Sequence, residues 1–133
     1  MDATKDGIVR FGTIGNVAVM SFQRGRIREE REILKALEDL GKYVESHPRA
    51  HVLLDLENIE YLSSAGLGNL VGLLKKSRRS QGQFKLCCLQ DPILELFEVM
   101  RLTKIFEIFE AQEAAVKSFS GAVPAASEKQ TIR

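Results

Sequence analysis

His51-Val-Leu-Leu-Asp-Leu-Glu-Asn-Ile-Glu-Tyr-Leu-Ser-Ser-Ala-Gly-Leu-Gly68 is the stretch on which the fold turns. Its opening, His51 to Leu56, is a short and nearly continuous apolar run, the pattern of a strand covered on both faces. The link Glu57 to Ser63 leads into a helix predicted from Ser64 to Ser80. Leu67, Leu70, Val71 and Leu74 recur there at helical spacing, and Lys75, Lys76, Arg78 and Arg79 crowd the end where cations suit the helix dipole. A covered strand running into an amphipathic helix is half of a strand–helix–strand unit, so this stretch alone points to an α/β domain.

The flanking sequence completes the pattern. Upstream, Ile8 to Phe11 and Asn16 to Phe22 read as strands joined through Gly12-Thr13-Ile14-Gly15. Both faces of the second are mostly apolar, which makes it an interior strand. A helix is predicted from Glu29 to Ser46, with Ile33, Leu37, Leu40 and Val44 as its stripe, Leu34 and Tyr43 widening it, and Pro48 stopping it. Downstream, Gln83 to Leu89 is a strand, and Asp91-Pro92 opens a helix with Asp91 as cap and Pro92 at its first position. Ile93, Leu94, Phe97 and Met100 give that helix an apolar face. Lys104 to Phe109 reads as extended and Ala111 to Phe119 as a last helix. The expectation is one α/β domain over residues 1–120, a mixed sheet of four to five strands flanked by about four helices. Residues 121–133, without periodicity, are expected to be a flexible tail. The expected core contains Val17, Val19, Leu53, Leu54, Leu56, Leu67, Leu70, Val71, Leu74, Leu86, Phe97 and Ile105.

Composition narrows the function. The chain has 133 residues, 44% of them hydrophobic and 28% charged, which suits one globular domain needing no staple. A formal net charge of +1 provides no bulk attraction to nucleic acid or an acidic membrane. No apolar run approaches the roughly 20 residues of a spanning helix. The polar start Met1-Asp2-Ala3-Thr4-Lys5-Asp6 is unlike a signal peptide, so a cytoplasmic location is expected. Cys87 and Cys88 are adjacent and, on a strand, would point to opposite faces, which fits neither a structural disulfide nor a metal clip.

Most catalytic signatures are missing. There is no Walker-type loop, no cysteine–histidine metal spacing and no Gly-x-Ser-x-Gly elbow. Gly66-Leu-Gly68 with Gly72 is one residue too long for a dinucleotide fingerprint and follows its strand by too long a link. His47 and His51 flank Pro48 and read as solvated loop histidines. The expectation is therefore no enzyme, no cofactor and no metal. The basic run from Lys75 to Arg79 reads as a solvated helix end; Arg24, Arg26, Arg28 and Arg31 form a second basic group that reads the same way, with steering of an acidic partner to the adjoining face as the alternative.

Tyr61-Leu62-Ser63-Ser64-Ala65-Gly66-Leu67-Gly68 places two hydroxyls where link becomes helix. A helix N-terminus has unpaired N–H groups and a positive dipole end, so a hydroxyl there is first a cap. The same groups would stabilise a phosphate added at that point. Gly68 and Gly72 lie one turn apart and permit close approach by the sheet or by a partner.

The run from Val52 to Gly68 resembles the signature of STAS domains, the family of bacterial anti-sigma factor antagonists. Gln83 to Leu89 followed by Asp91-Pro92, and Leu102 to Phe109, resemble later segments of the same family, so the resemblance covers about Ile8 to Phe119. It implies a mixed sheet flanked by helices and a domain without catalysis of its own. It also implies an anti-sigma factor serine kinase as partner, released by phosphorylation at the start of the central helix and restored by a metal-dependent serine phosphatase. Aligning on Gly66-Leu67 places the acceptor at Ser64. The family's usual preceding aspartate is Ser63 here, which makes Ser63 the fallback acceptor. The family's Gly-x-Leu-Asp stretch is replaced by Arg24-Gly25-Arg26-Ile27. The resemblance puts partner contacts at Arg24, Arg26, Ser63, Ser64, Ala65, Gly66 and Gly68. It leaves two alternatives open: a non-phosphorylated STAS subunit of a lipid-transport ATPase complex, and a nucleotide- or small-ligand-binding STAS domain. No nucleic-acid contact or membrane insertion is expected, and the oligomeric state stays open.

Overall fold

The structure, a computed structural model, describes residues 8–24 and 29–119. Arg26 and the expected tail 121–133 lie outside the described residues. The chain begins with a hairpin of β1 (Val9–Ile14) and β2 (Val17–Phe22), paired antiparallel from Val9 opposite Phe22 to Ile14 opposite Val17. The turn is therefore Gly15-Asn16 alone, with Gly15 at φ 61°, a conformation open to glycine at little cost. That tight turn lets Gly12, Thr13 and Ile14 pair as strand, where the sequence suggested a longer connection.

Helix α1 (Glu30–Ser46) leads to β3 (His51–Asp55), α2 (Ser64–Arg79) to β4 (Gln83–Cys87), and α3 (Asp91–Val99) to β5 (Ile108–Phe109). Helix α4 (Gln112–Ser118) follows. The strand order is β1-β2-β3-β4-β5, with β2 to β5 parallel and β1 antiparallel. This is the mixed α/β sheet expected, with four α-helices among the described residues.

Alternation along each strand divides the core. Ala18, Met20, Val52, Leu54, Phe84 and Leu86 face α1, α2 and α3 and form the large core with Leu37, Leu40, Leu67, Leu70 and Phe97. Val17, Val19, Leu53 and Cys87 face the other way and pack with Ala115 and Phe119. Ten of the twelve expected core residues are buried, which makes the two others informative. Val71 is half-buried because α2 turns Leu70, Leu73 and Leu74 to the sheet instead. Ile105 is 39% exposed. Arg101 adopts φ 61°, and the chain from Leu102 to Lys104 coils into a 3-10 turn whose Leu102 carbonyl accepts from Ile105 and Phe106. That turn sinks Phe106 edge-on against Phe97, with centroids 5.7 Å apart, and points Ile105 outward. The extended segment expected over Lys104 to Phe109 is thereby reduced to Ile108–Phe109.

Smaller corrections follow from caps. Helix α3 is capped by Gln90, whose amide donates to the Glu57 carbonyl (2.7 Å), so Asp91 is the first helical residue and no cap. Met100, expected on the apolar face of α3, is its exposed C-cap. Among the described residues, no helix is long and apolar enough to cross a membrane.

Candidate functional site

The parallel strands β2, β3 and β4 end on one edge of the sheet, and the link from β3 to α2 crosses that edge. Leu56, Ile59 and Leu62 are buried and pin it to the core, while the Asn58 amide donates to the Phe22 carbonyl at the end of β2 (2.9 Å). Glu57, Glu60 and Tyr61 are left facing outward, Tyr61 68% exposed. Arg24, exposed, leaves β2 at the same edge.

Ser63 and Ser64 divide the end of α2 between them. Ser63 is the N-cap: its backbone is extended and its half-buried Oγ accepts from the Gly66 N–H (3.1 Å). Ser64 is the first helical residue and is exposed, as are Ala65 and Gly68. Gly66 is buried, and a Cβ there would lie 3.1 Å from the Leu62 Cδ2. At Gly68 and Gly72 an added Cβ would meet nothing within 4 Å. Packing against the sheet therefore does not require glycine at these two positions. The structure thus brings Ser63, Ser64, Ala65, Gly66 and Gly68 to one helix end. Arg24 sits at the same sheet edge, and Arg26 is outside the described residues. Tyr61, not singled out by sequence reasoning, is an exposed lone aromatic in a link whose other large apolar residues are buried.

His47 and His51 are not equivalent loop residues. His47 is exposed, stacked on Tyr43 with centroids 4.0 Å apart. His51 begins β3, half-buried against the Phe119 ring, and burial, then Lys85, lowers its pKa below the ordinary value. In the basic run, Lys76 pairs with Glu45 (3.0 Å) and Arg78 donates to the Ile105 carbonyl (3.3 Å), so this helix end also fastens its neighbours.

The second polar cluster on this edge was not expected. Asp55 and Cys87 are paired across β3 and β4, and both are buried. Cys88 does not continue the strand. Its φ of 64° swings its side chain round, and the Asp55 carboxylate and both sulfurs lie within 4.8 Å of one another. The opposite-face expectation for the two cysteines fails for that reason. Burial first, and then the Asp55 carboxylate, push the Cys87 thiol far above its usual range; burial also raises Cys88.

The family model of the STAS domain matches residues 28–115. The chain belongs to the STAS domain family. BtrV of Bordetella bronchiseptica, provisionally named an anti-sigma factor antagonist, is 38% identical over 73 residues, covering 55% of this chain and 63% of BtrV. The chain spans about half to under two thirds of the length of the curated relatives it matches. Among solved structures, an anti-sigma-factor antagonist STAS domain protein from Planctomyces limnophilus superposes with a TM-score of 0.73 at 24% identity, over 84% of this chain and 98% of that one. The Bacillus cell fate determinant SpoIIAA in its phosphorylated form gives 0.61 at 12% identity, over 83% and 97%. These two likenesses establish the fold.

Proposed function

We propose that this STAS domain is an anti-sigma factor antagonist that binds a serine-kinase anti-sigma factor through the start of α2 and is switched by phosphorylation of Ser64. The observation that carries the reading is the division of labour at that helix end: Ser63 is occupied as the cap, and Ser64 next to it is exposed. Relatives named anti-sigma factor antagonists support the partner class, and a STAS neighbour named in a phosphorylated form supports the chemistry. Exposed Ala65 and Gly68 keep the partner's approach open, Tyr61 offers an aromatic anchor, and Arg24 adds charge at the rim.

In this reading the domain catalyses nothing; the kinase supplies the phosphoryl group, and a metal-dependent phosphatase removes it. A phosphate on the Ser64 Oγ carries about −1.5 to −2 charges. The helix end accommodates it through the dipole and the first amides, which lack helical acceptors, so the fold survives. The partner surface, matched to a neutral hydroxyl, meets anionic oxygens instead, at a cost of about 3 kcal/mol, or roughly a hundredfold in affinity.

The test uses the histidine-kinase-like ATPase of the native host, purified and incubated with ATP and each variant. Wild type and Ser63→Ala should gain one phosphate at Ser64, located by mass spectrometry. Ser64→Ala should bind the kinase and gain none, and Ser64→Asp should stay folded and bind about a hundredfold more weakly. Phosphate on Ser63, or tight binding by Ser64→Asp, would displace the switch from Ser64.

A further inference from the structure

We propose that Asp55, Cys87 and Cys88 form a binding site for a thiophilic divalent cation of the zinc class at the carboxyl edge of the sheet. Two thiols and a carboxylate are the donor types that zinc takes in protein sites, and three protein donors leave a fourth position for water or another ligand. Donors sharing one tetrahedral zinc at about 2.0–2.3 Å sit roughly 3.3–3.8 Å apart. The present cluster, with all three donor atoms within 4.8 Å of one another, needs only small side-chain rotations to reach that spacing.

The backbone prepares this convergence. Parallel pairing of β3 with β4 sets Asp55 beside Cys87 on the same face of the sheet. Adjacent strand residues would diverge, but Cys88 takes a left-handed conformation that few residues other than glycine, asparagine and aspartate adopt. It is held there from both sides: the Cys88 N–H donates to the Phe109 carbonyl (2.9 Å), and the Cys87 carbonyl accepts from Leu56 (3.0 Å). This backbone state, which Arg49, Gln81 and Arg101 also adopt, brings a second sulfur to a fully buried first one, and that convergence suits shared ligation.

The surroundings are also those of a ligating carboxylate. Asp55 Oδ1 accepts from the Glu57 N–H (2.9 Å) and Oδ2 from the Gln112 amide (2.8 Å), which fixes the group while leaving a lone pair on each oxygen. Asp55 and Cys88 open onto a surface depression of about 610 Å³ that also holds Glu57 and Glu110. It gives a hydrated cation a path in, and its two carboxylates attract it.

The experiment titrates the full chain, free of any histidine tag and kept reduced with a phosphine, with zinc against a chromophoric chelator. Wild type should take up one equivalent, melt at a higher temperature with zinc, and show a thiolate-to-metal charge-transfer band when cobalt(II) replaces zinc. Magnesium, which prefers oxygen donors, should not compete. Cys88→Ser and Asp55→Asn should each weaken zinc binding by at least about a hundredfold, since even supporting residues of such sites are worth 10- to 100-fold. His51→Gln should leave it unchanged. Buried Cys87 risks the fold when replaced, so the half-buried Cys88 and the isosteric Asp55 change carry the test, with circular dichroism confirming that both variants fold. No saturable uptake, no thiolate band, wild-type affinity in either Cys88→Ser or Asp55→Asn, or loss of binding in His51→Gln would each overturn the proposal.

Discussion

Leu53 and Leu54 are neighbours on β3, both fully buried, yet they lie under different covers. Leu54 faces α1, α2 and α3, in a cluster of apolar side chains. Leu53 faces the short α4 and a thin cluster that it shares with Val17, Val19, Cys87, Ala115 and Phe119. The thin face is also where both buried charged residues lie among those described, Asp55 and Lys85. Each is met by one end of α4: the Gln112 amide donates to Asp55, and the Lys85 ammonium donates to the Ser118 carbonyl (3.2 Å) and hydroxyl (2.9 Å) and pairs with Glu107 (3.2 Å). The contrast teaches that one face is held by apolar volume and the other by a few directed polar contacts, which tolerate burial because every charge finds a partner.

The largest expected effect tests that contrast on a single strand. Leu54→Ala should lose stability near the top of the roughly 2–5 kcal/mol range for such truncations, and Leu53→Ala near its bottom, because a cavity under three helices relaxes less than one beneath a short helix. Urea unfolding of both variants measures the difference. Equal losses would break the contrast.

A middle-sized effect isolates the polar contacts. Lys85→Met keeps an apolar side chain in place and removes the ammonium, and should cost about 1.5–3 kcal/mol, the scale of hydrogen bonds from a charged group. Amide exchange should quicken in α4 and stay unchanged in α1. Matching acceleration in α1 would mean that the two covers do not loosen separately.

The smallest effect is on pH. His51 lies beneath Phe119 on the thin face with its pKa lowered by burial and then by Lys85. The unfolded chain therefore binds more protons at this position than the folded one just below the ordinary value, near 6.5. Stability should be unaffected above that pH and should decline as the pH falls through it toward the lowered folded value. His51→Gln should flatten this part of a melting-temperature profile, and an unchanged slope would remove His51 as its cause.

The sequence by itself determined the order of elements, the central strand, read as His51 to Leu56, the helix that follows it and the serine pair at their junction. These rest on local periodicity and on helix-end chemistry, which neighbouring residues express wherever the chain goes. The family resemblance drew on that same run first, and then on Gln83 to Pro92 and Leu102 to Phe109. Tertiary structure decided the rest. Ser63 became the cap and Ser64 the exposed hydroxyl only once Leu62 was buried and the helix began where it did. Phe106 displaced Ile105 from the core because the ring found Phe97 and Phe84, partners distant in sequence. Cys87 and Cys88 carry strand-like neighbours and gave no sign of turning toward each other. Their meeting depends on hydrogen bonds from Leu56 and to Phe109, contacts that exist only when β3, β4 and β5 lie side by side.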